Sequence, residues 1–413
     1  MRFHLLPSIV VAICAASPSI AAADEAPIEA IDETALITAI ERSDPRVGRI
    51  AADIDAAEAN VYAAGLRDEP RFAIDREEVF PSGGGVATQY MRLVVPIDIS
   101  GRRGRHIDAA SATANAARAD AESDRFALVV DGLRVFRGAE YARLRVALLS
   151  TERTALVRAL DIVRKRAGAG DASGYDVQRL QLELTTYDDS ITAAMIELRT
   201  AQRRVATLLG RSGSRVDAAG DLPLPTSRAI EQLLPDALAR RGDYRAAKLR
   251  TDAATSDASA ARRTWVPTLA LTAGAMSADL GTETARGYVA GLSFSLPIFD
   301  RGRAAGAGAD AARRAAIAET RVLERRVPEA IQIASAEVTD RAEQARAFQA
   351  TQLARLDLLL RSAETGYREG GGGIVELVDA YRAARDARLH DLELRRDASL
   401  AELDLWLALG RRP

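Results

Sequence analysis

The chain has 413 residues, and its 56 Lys+Arg against 58 Asp+Glu leave no positive excess that would mark it for nucleic acid. One cysteine and three histidines exclude a disulfide framework and leave nucleophilic Ser/His/Asp or Cys/His chemistry without its parts. The chain is therefore not expected to be an enzyme, and no cofactor is expected.

The first 23 residues differ from the rest. Arg2 supplies a short positive start, Leu5 to Ala16 is mostly apolar and interrupted by Pro7, and Ala21-Ala22-Ala23 offers a small-residue cleavage site before Asp24. The apolar run falls short of the ~20 residues a spanning helix needs, so residues 1–23 read as a cleaved signal peptide of an exported protein. Cys14 lies inside that segment, and the bulky Ile13 before it argues against a lipid-anchoring cysteine. No later run is long and apolar enough to span as a helix. A place in a membrane must then come from a β-barrel.

In chain order, residues 24–210 form a first unit. It holds a helix over 34–64, strands over 71–80 and 87–99 joined through Gly83-Gly84-Gly85, a long helix over 104–166, and a return helix over 175–210. At ~1.5 Å per residue, the proline-free run from His106 to Arg166 reaches roughly 90 Å. No globular core covers such a helix, so neighbouring helices must. Gly168, Gly170 and Gly174 mark its turn, and Leu180, Leu184, Tyr187, Ile191, Ala194 and Leu198 give the return helix a coiled-coil seam. Residues 211–227, with Gly213, Gly220, Pro223 and Pro225, read as a linker.

Residues 228–413 repeat the plan, with a helix over 229–263, strands over 265–278 and 287–299, a long helix over 303–368 and a return helix over 374–410. Pro328 is expected to kink the long helix, and Gly370 to Gly373 form its turn. In the last strand Tyr288, Ala290, Leu292, Phe294 and Leu296 alternate with small or polar residues, which is period two. The first strand carries Arg76, Glu77 and Glu78, which weakens its reading as a membrane strand.

The two units match in register, about 200 positions apart. Ser43-Asp44-Pro45-Arg46 answers to Gly242-Asp243-Tyr244-Arg245, and Pro70 to Pro267. Val95-Pro96-Ile97 with Gly101-Arg102 answers to Leu296-Pro297-Ile298 with Gly302-Arg303. Tyr175-Asp176-Val177 answers to Val375-Glu376-Leu377, and Leu208-Leu209-Gly210 to Ala408-Leu409-Gly410. Each chain then offers four strands, and spanning barrels start at about eight. Since an open sheet in lipid leaves its edges unpaired, several chains must share one barrel.

This order of helix, hairpin, long helix, glycine turn and return helix ending in Leu-Gly, given twice, resembles the TolC family of outer-membrane efflux proteins over nearly the whole mature chain. Glu77, Glu78, Gly83 to Gly85, Pro96 and Gly101-Arg102-Arg103-Gly104 are similar to its CzcC-like branch. The resemblance implies a mainly α fold with a small β part. Long antiparallel helical hairpins form a trimeric α-barrel, and four strands per chain enter a shared transmembrane β-barrel. It implies a homotrimer in the cell outer membrane with a periplasmic helical extension. It also implies a periplasmic adaptor (membrane fusion) protein and an inner-membrane RND-type pump as partners, and heavy-metal cations as cargo.

Glu376 and Asp379 stand three apart at the start of the last helix, hence on one face. In the family, acids here ring the periplasmic mouth, while acids at a helix N-terminus are also ordinary partners of its dipole. Asp176 holds the equivalent place in the first unit. The resemblance gives it a closing role with a tyrosine, at Tyr367, and an arginine of the other unit's turn. That arginine position falls on Gly372, leaving Arg166 or Arg368 as substitutes, and Tyr367 reads equally as packing under the turn. Metal ligation by the chain is not expected, because His106, His390, Met91, Met195 and Met276 are scattered where soft cations want clusters. Neither glycine run has the Lys-[Ser/Thr] of a phosphate loop.

The sequence thus points to a passive exit duct of a tripartite efflux system, gated at its helical tip. Multidrug efflux and type I protein secretion are the alternatives within the channel class, and an exported coiled-coil scaffold without a pore is the alternative outside it.

Overall fold

The computed structural model describes residues 28–80, 86–211, 213–226, 236–281 and 283–412. The proposed signal peptide and the Gly83 to Gly85 loop lie outside the described residues. In chain order the elements are β1 (Glu29–Ile31), α1 (Glu33–Ser43), α2 (Pro45–Gly65), β2 (Arg71–Val79), β3 (Val86–Ile97), α3 (Arg102–Ala169), α4 (Gly174–Leu208) and β4 (Val216–Ala218). The second half has α5 (Gly242–Ala261), β5 (Leu269–Asp279), β6 (Thr284–Phe294), α6 (Arg303–Phe348), a π-turn (Gln349–Leu353), α7 (Ala354–Glu369) and α8 (Ile374–Leu409). The fold is mainly helical with a small sheet. No described helix is long and apolar enough to cross a membrane.

Three departures from the sequence reading have local causes. The helix expected over 34–64 is two helices. Pro45 disfavours a helical Asp44, which sits extended at φ −70°, ψ 123° and turns its carboxylate onto the Arg46 amide at 2.8 Å. The stretch 211–227 is more than a linker, because β4 pairs parallel with β1, Glu29 facing Val216. Pro328 lies inside a continuous α6, since its missing N–H costs one rung only; the irregularity in the helical ladder falls at Gln349–Leu353 instead.

The four longer strands make one antiparallel sheet in the order β2-β3-β5-β6, so β3 and β5 join the two halves of the chain. Gly274 permits that join, because a Cβ there would stand 2.2 Å from the Met91 carbonyl oxygen. Residues directly opposite share a face. Phe72 faces Leu93, which faces Ala273, which faces Ala290; Ile74, Met91, Ala275 and Tyr288 form the next row. Leu271 and Leu292 extend this apolar face, which is exposed, Tyr288 by 86 %.

The register also explains the charges of the first strand. Arg76 and Glu78 share the apolar face but sit beyond the apolar rows, toward the hairpin end, and pair with each other. Asp75 is on the opposite face, where Arg92 donates to it at 2.5 Å.

Beneath the sheet, α3 runs 68 residues, roughly 100 Å at ~1.5 Å each. It packs against α2, α4, α5 and α8. Many buried positions on it are alanine, as at Ala109, Ala114, Ala116, Ala119 and Ala121, which lets helices approach closely. A larger cluster at mid-height gathers Leu36, Ile40, Leu133, Phe136 and Trp406.

Candidate functional site

Both helical hairpins reverse at glycine. Gly170 at φ 86° and Gly370 at φ 82° take the left-handed conformation that ends α3 and α7. In the first turn Ser173 caps α4: its Oγ accepts from the Asp176 amide at 3.3 Å and donates to Asp176 Oδ1 at 2.8 Å. The other oxygen, Asp176 Oδ2, accepts the Tyr367 hydroxyl at 2.9 Å. Two residues 191 positions apart are thus in contact at the tip.

Tyr367 is buried, and burial foremost, then the Asp176 hydrogen bond and charge, push its phenol up to about 12. Arg166 lies over its ring with the guanidinium carbon 5.1 Å from the centroid. The same side chain donates to the Tyr367 carbonyl, and to the Asp171 carbonyl at 3.0 Å. Of the two arginines the sequence offered, Arg166 stands against Tyr367, while Arg368 is exposed.

Glu376 and Asp379 are exposed on the first turns of α8 and do not join the Tyr367 cluster. Glu376 Oε2 accepts the Gly373 amide at 3.3 Å, so this acid caps its helix while its charge faces solvent. His106 and His390 remain apart: His106 pairs with Asp257 at 3.2 Å, and His390 stacks edge-on against Phe348 at 5.0 Å. Among the described residues no three His, Cys, Asp or Glu are grouped to hold a metal ion.

Further up the hairpins lies a constellation that the sequence reading missed. Arg382, Arg385 and Arg388 recur at intervals of three on one side of α8. Arg382 donates to Glu183 Oε2 on α4 at 2.9 and 2.5 Å, and Arg385 stands 3.8 Å from Glu183 Oε1. Arg388 donates to Glu152 on α3 and, at 2.9 Å, to Asp357 on α7. Glu152 and Glu183 are each only 2 % exposed. Between them Tyr187 donates to the Tyr381 carbonyl at 3.2 Å, and Tyr381 donates to Glu364 at 2.5 Å. Burial, the largest cause, raises both phenols. The arginine spacing was the one available signal.

The chain thus combines a sheet that has an exposed apolar face with paired helices too long for any single core. The family model for outer membrane efflux proteins matches residues 233–411. The chain is 24 % identical over 365 residues to the cobalt-zinc-cadmium resistance protein CzcC of Cupriavidus metallidurans, covering 87 % of this chain and 85 % of that one. It is 27 % identical over 328 residues to the nickel-cobalt-cadmium resistance protein NccC of Alcaligenes xylosoxydans xylosoxydans, covering 78 % and 72 %. The solved outer-membrane channel OprN superposes with a TM-score of 0.76 at 23 % identity, over 92 % of this chain and 90 % of that one. The second half of the chain thus matches the outer membrane efflux protein family, and the similarity to individual relatives extends over most of its length. The matched family is one of outer-membrane efflux channels, which are not enzymes, and OprN shares the fold.

Proposed function

We propose that three copies of this chain form the exit duct of a tripartite pump that expels heavy-metal cations. The observation that carries the cargo is the likeness to CzcC, named for cobalt, zinc and cadmium resistance, across 87 % of this chain. For the assembly the support is the sheet itself. Among the described residues strands β2 and β6 each have one neighbour, so both edges offer backbone groups for further pairing. Such edges are untenable in lipid, and four strands fall short of the about eight that close a barrel. Edge-to-edge pairing of three copies gives the twelve strands that the family resemblance implies. The continuous apolar face then meets lipid, and the small, polar face with Asp75, Arg92, Thr272 and Ser293 meets the lumen.

The helices extend into the periplasm, and their tip meets an adaptor protein and, through it, an inner-membrane RND-type pump. In this reading Asp176 and Tyr367 hold the tip at rest, and Glu376 and Asp379 from three copies form an anionic collar at its mouth. The duct selects by charge and leaves metal ligation to its partners.

The test is a deletion strain challenged with cobalt, zinc, cadmium, nickel and a panel of organic toxicants. Sensitivity to the cations, restored by the intact chain, is expected. Unchanged metal tolerance with new sensitivity to the organic panel would overturn the cargo.

A further inference from the structure

The tip hydrogen bond and the arginine constellation differ in what separating the hairpins exposes. Tyr367 meets a carboxylate that is only half-buried, so water replaces either partner as the tip opens. Glu152 and Glu183 are almost wholly enclosed, and neither regains hydration unless α8 leaves α3 and α4. Glu152 Oε2 and Glu183 Oε1 also lack a hydrogen-bond partner among the described residues, so the arginines carry the compensation of both charges.

Two of these arginines have a second carboxylate on their own hairpin. Arg388 touches Glu152 across the interface and Asp357 beside it on α7. Arg385 faces Glu183 across the interface, and its Nε donates to Asp386 on α8 at 2.8 Å. Asp357 and Asp386 are well exposed, so the second set of pairs persists in water. The segment bearing Asp357 begins just past the π-turn, where the α-helical ladder of the outgoing helix is interrupted. Opposite it, Gln349 Nε2 is anchored to Asp391 on α8 at 2.8 Å. Such turns concentrate at functional sites, and here one lets α7 shift relative to the continuous α8.

We infer that Glu152 and Glu183 are positioning residues of the closed tip, forming a buried clasp on the first hairpin that holds the arginines of α8. Opening is an exchange of carboxylates. Arg385 and Arg388 leave Glu183 and Glu152 and keep Asp386 and Asp357. The inference rests on the gating reading above and adds a second layer to it, deeper than the residues of the turns. Both arrangements are discrete, which is what a two-state gate requires.

The full-length channel in planar bilayers tests this through its resting open probability. Glu183→Gln leaves Arg382 and Arg385 without their buried counter-charge and is expected to raise that probability about tenfold, as does Glu152→Gln. Adding Arg382→Gln to Glu183→Gln removes the orphaned charge and brings the value back toward wild type. Asp357→Asn acts with the opposite sign, because it removes the open-state partner of Arg388, and lowers opening. Asp357 is exposed, so this variant assembles even where a buried one does not. An assembled Glu183→Gln channel within about twofold of wild type, a factor too small for a lost buried pair, overturns the clasp. So does an Asp357→Asn channel with unchanged or raised opening. A wild-type channel with no closed state in any condition overturns the gating reading itself, whereas gating that ignores both variants removes the clasp alone.

Discussion

The two helical hairpins carry the same plan and differ in how they are continued. In the first, α3 passes from the sheet to the tip in 68 uninterrupted residues, and α4 returns in 35. In the second, the outgoing path is α6, then a five-residue π-turn, then the 16-residue α7, against an unbroken 36-residue α8. The first hairpin contributes the buried acids, and the second contributes the arginines with their alternative partners. Continuity and interruption are thus divided between the two hairpins, with the π-turn placed just above the segment that carries Tyr367.

The largest effect on this division is expected at Tyr187, where the hairpins share one apolar cluster with Leu156, Leu180, Leu377 and Tyr381. Its side chain is fully buried, and its hydroxyl spans the interface to the Tyr381 carbonyl. Tyr187→Ala leaves a cavity worth about 3–5 kcal/mol. Hydrogen exchange should accelerate in the lower parts of both hairpins, while the sheet is unchanged. Acceleration confined to α4 alone would break the picture of a shared tip core.

Next comes deletion of Thr351, an exposed residue inside the π-turn. A π-turn holds one residue more than the α-helical ladder around it, so the deletion makes the second outgoing helix resemble α3 without turning α7 out of phase. The thermal midpoint should hold or rise, unlike the usual result of a deletion within a helix. Resting opening in bilayers should fall. A channel that opens as readily as wild type would show that the interruption plays no part in the difference between hairpins.

A smaller effect is expected from Tyr367→Phe, which removes one hydrogen bond to a half-exposed carboxylate, about 1 kcal/mol. The pH dependence has a definite sign. The phenol is raised from its ordinary 10 to about 12 while Tyr367 is held against Asp176, so the arrangement proposed as closed holds its proton more tightly. That contribution is complete below pH 10 and is lost as pH rises toward 12. Alkaline titration of conductance should therefore open the wild-type tip in this window, and Tyr367→Phe should lack that phase. An identical alkaline profile in both would assign the transition to other groups.

How much of this was legible in the sequence depended on whether the information was local. The element order, the two glycine turns and the match of Asp176 with Glu376 came from periodicity and internal register, which a single chain records, whereas Tyr367 was paired with Asp176 by the family resemblance. The charges of the first strand could not be placed from the sequence, because only the register across β3 reveals that Arg76 and Glu78 lie beyond the apolar rows and Asp75 meets Arg92. Strands β1 and β4, three residues each, carry no period long enough to read. The clasp was hidden for a different reason. Glu152 and Glu183 look like any of the 58 acids until α8 is laid against α3 and α4. The π-turn has no glycine or proline to announce it.

The mildest expected change to the protein's stability, and the most specific change to its transport, concerns Glu376 and Asp379. Both are exposed and outside the Tyr367 cluster, so Glu376→Gln with Asp379→Asn should leave the unfolding free energy within about 0.5 kcal/mol of wild type. A glutamine side chain at position 376 keeps an oxygen for the Gly373 amide, so the cap survives while the charge goes. If three copies of each acid face one mouth, the double variant removes six negative charges from a narrow aperture, where water screens them less than on an open surface. Cation-over-anion selectivity, read from reversal potentials in a salt gradient, should then fall, most steeply at low ionic strength where the Debye length exceeds the aperture. A counterpart change at Asp176 should leave selectivity alone and affect closure only, since that carboxylate is already engaged by Ser173 and Tyr367. Unchanged selectivity in the double variant would reduce Glu376 to a helix cap. The functional difference between the hairpins would then rest on the arginines and the π-turn alone.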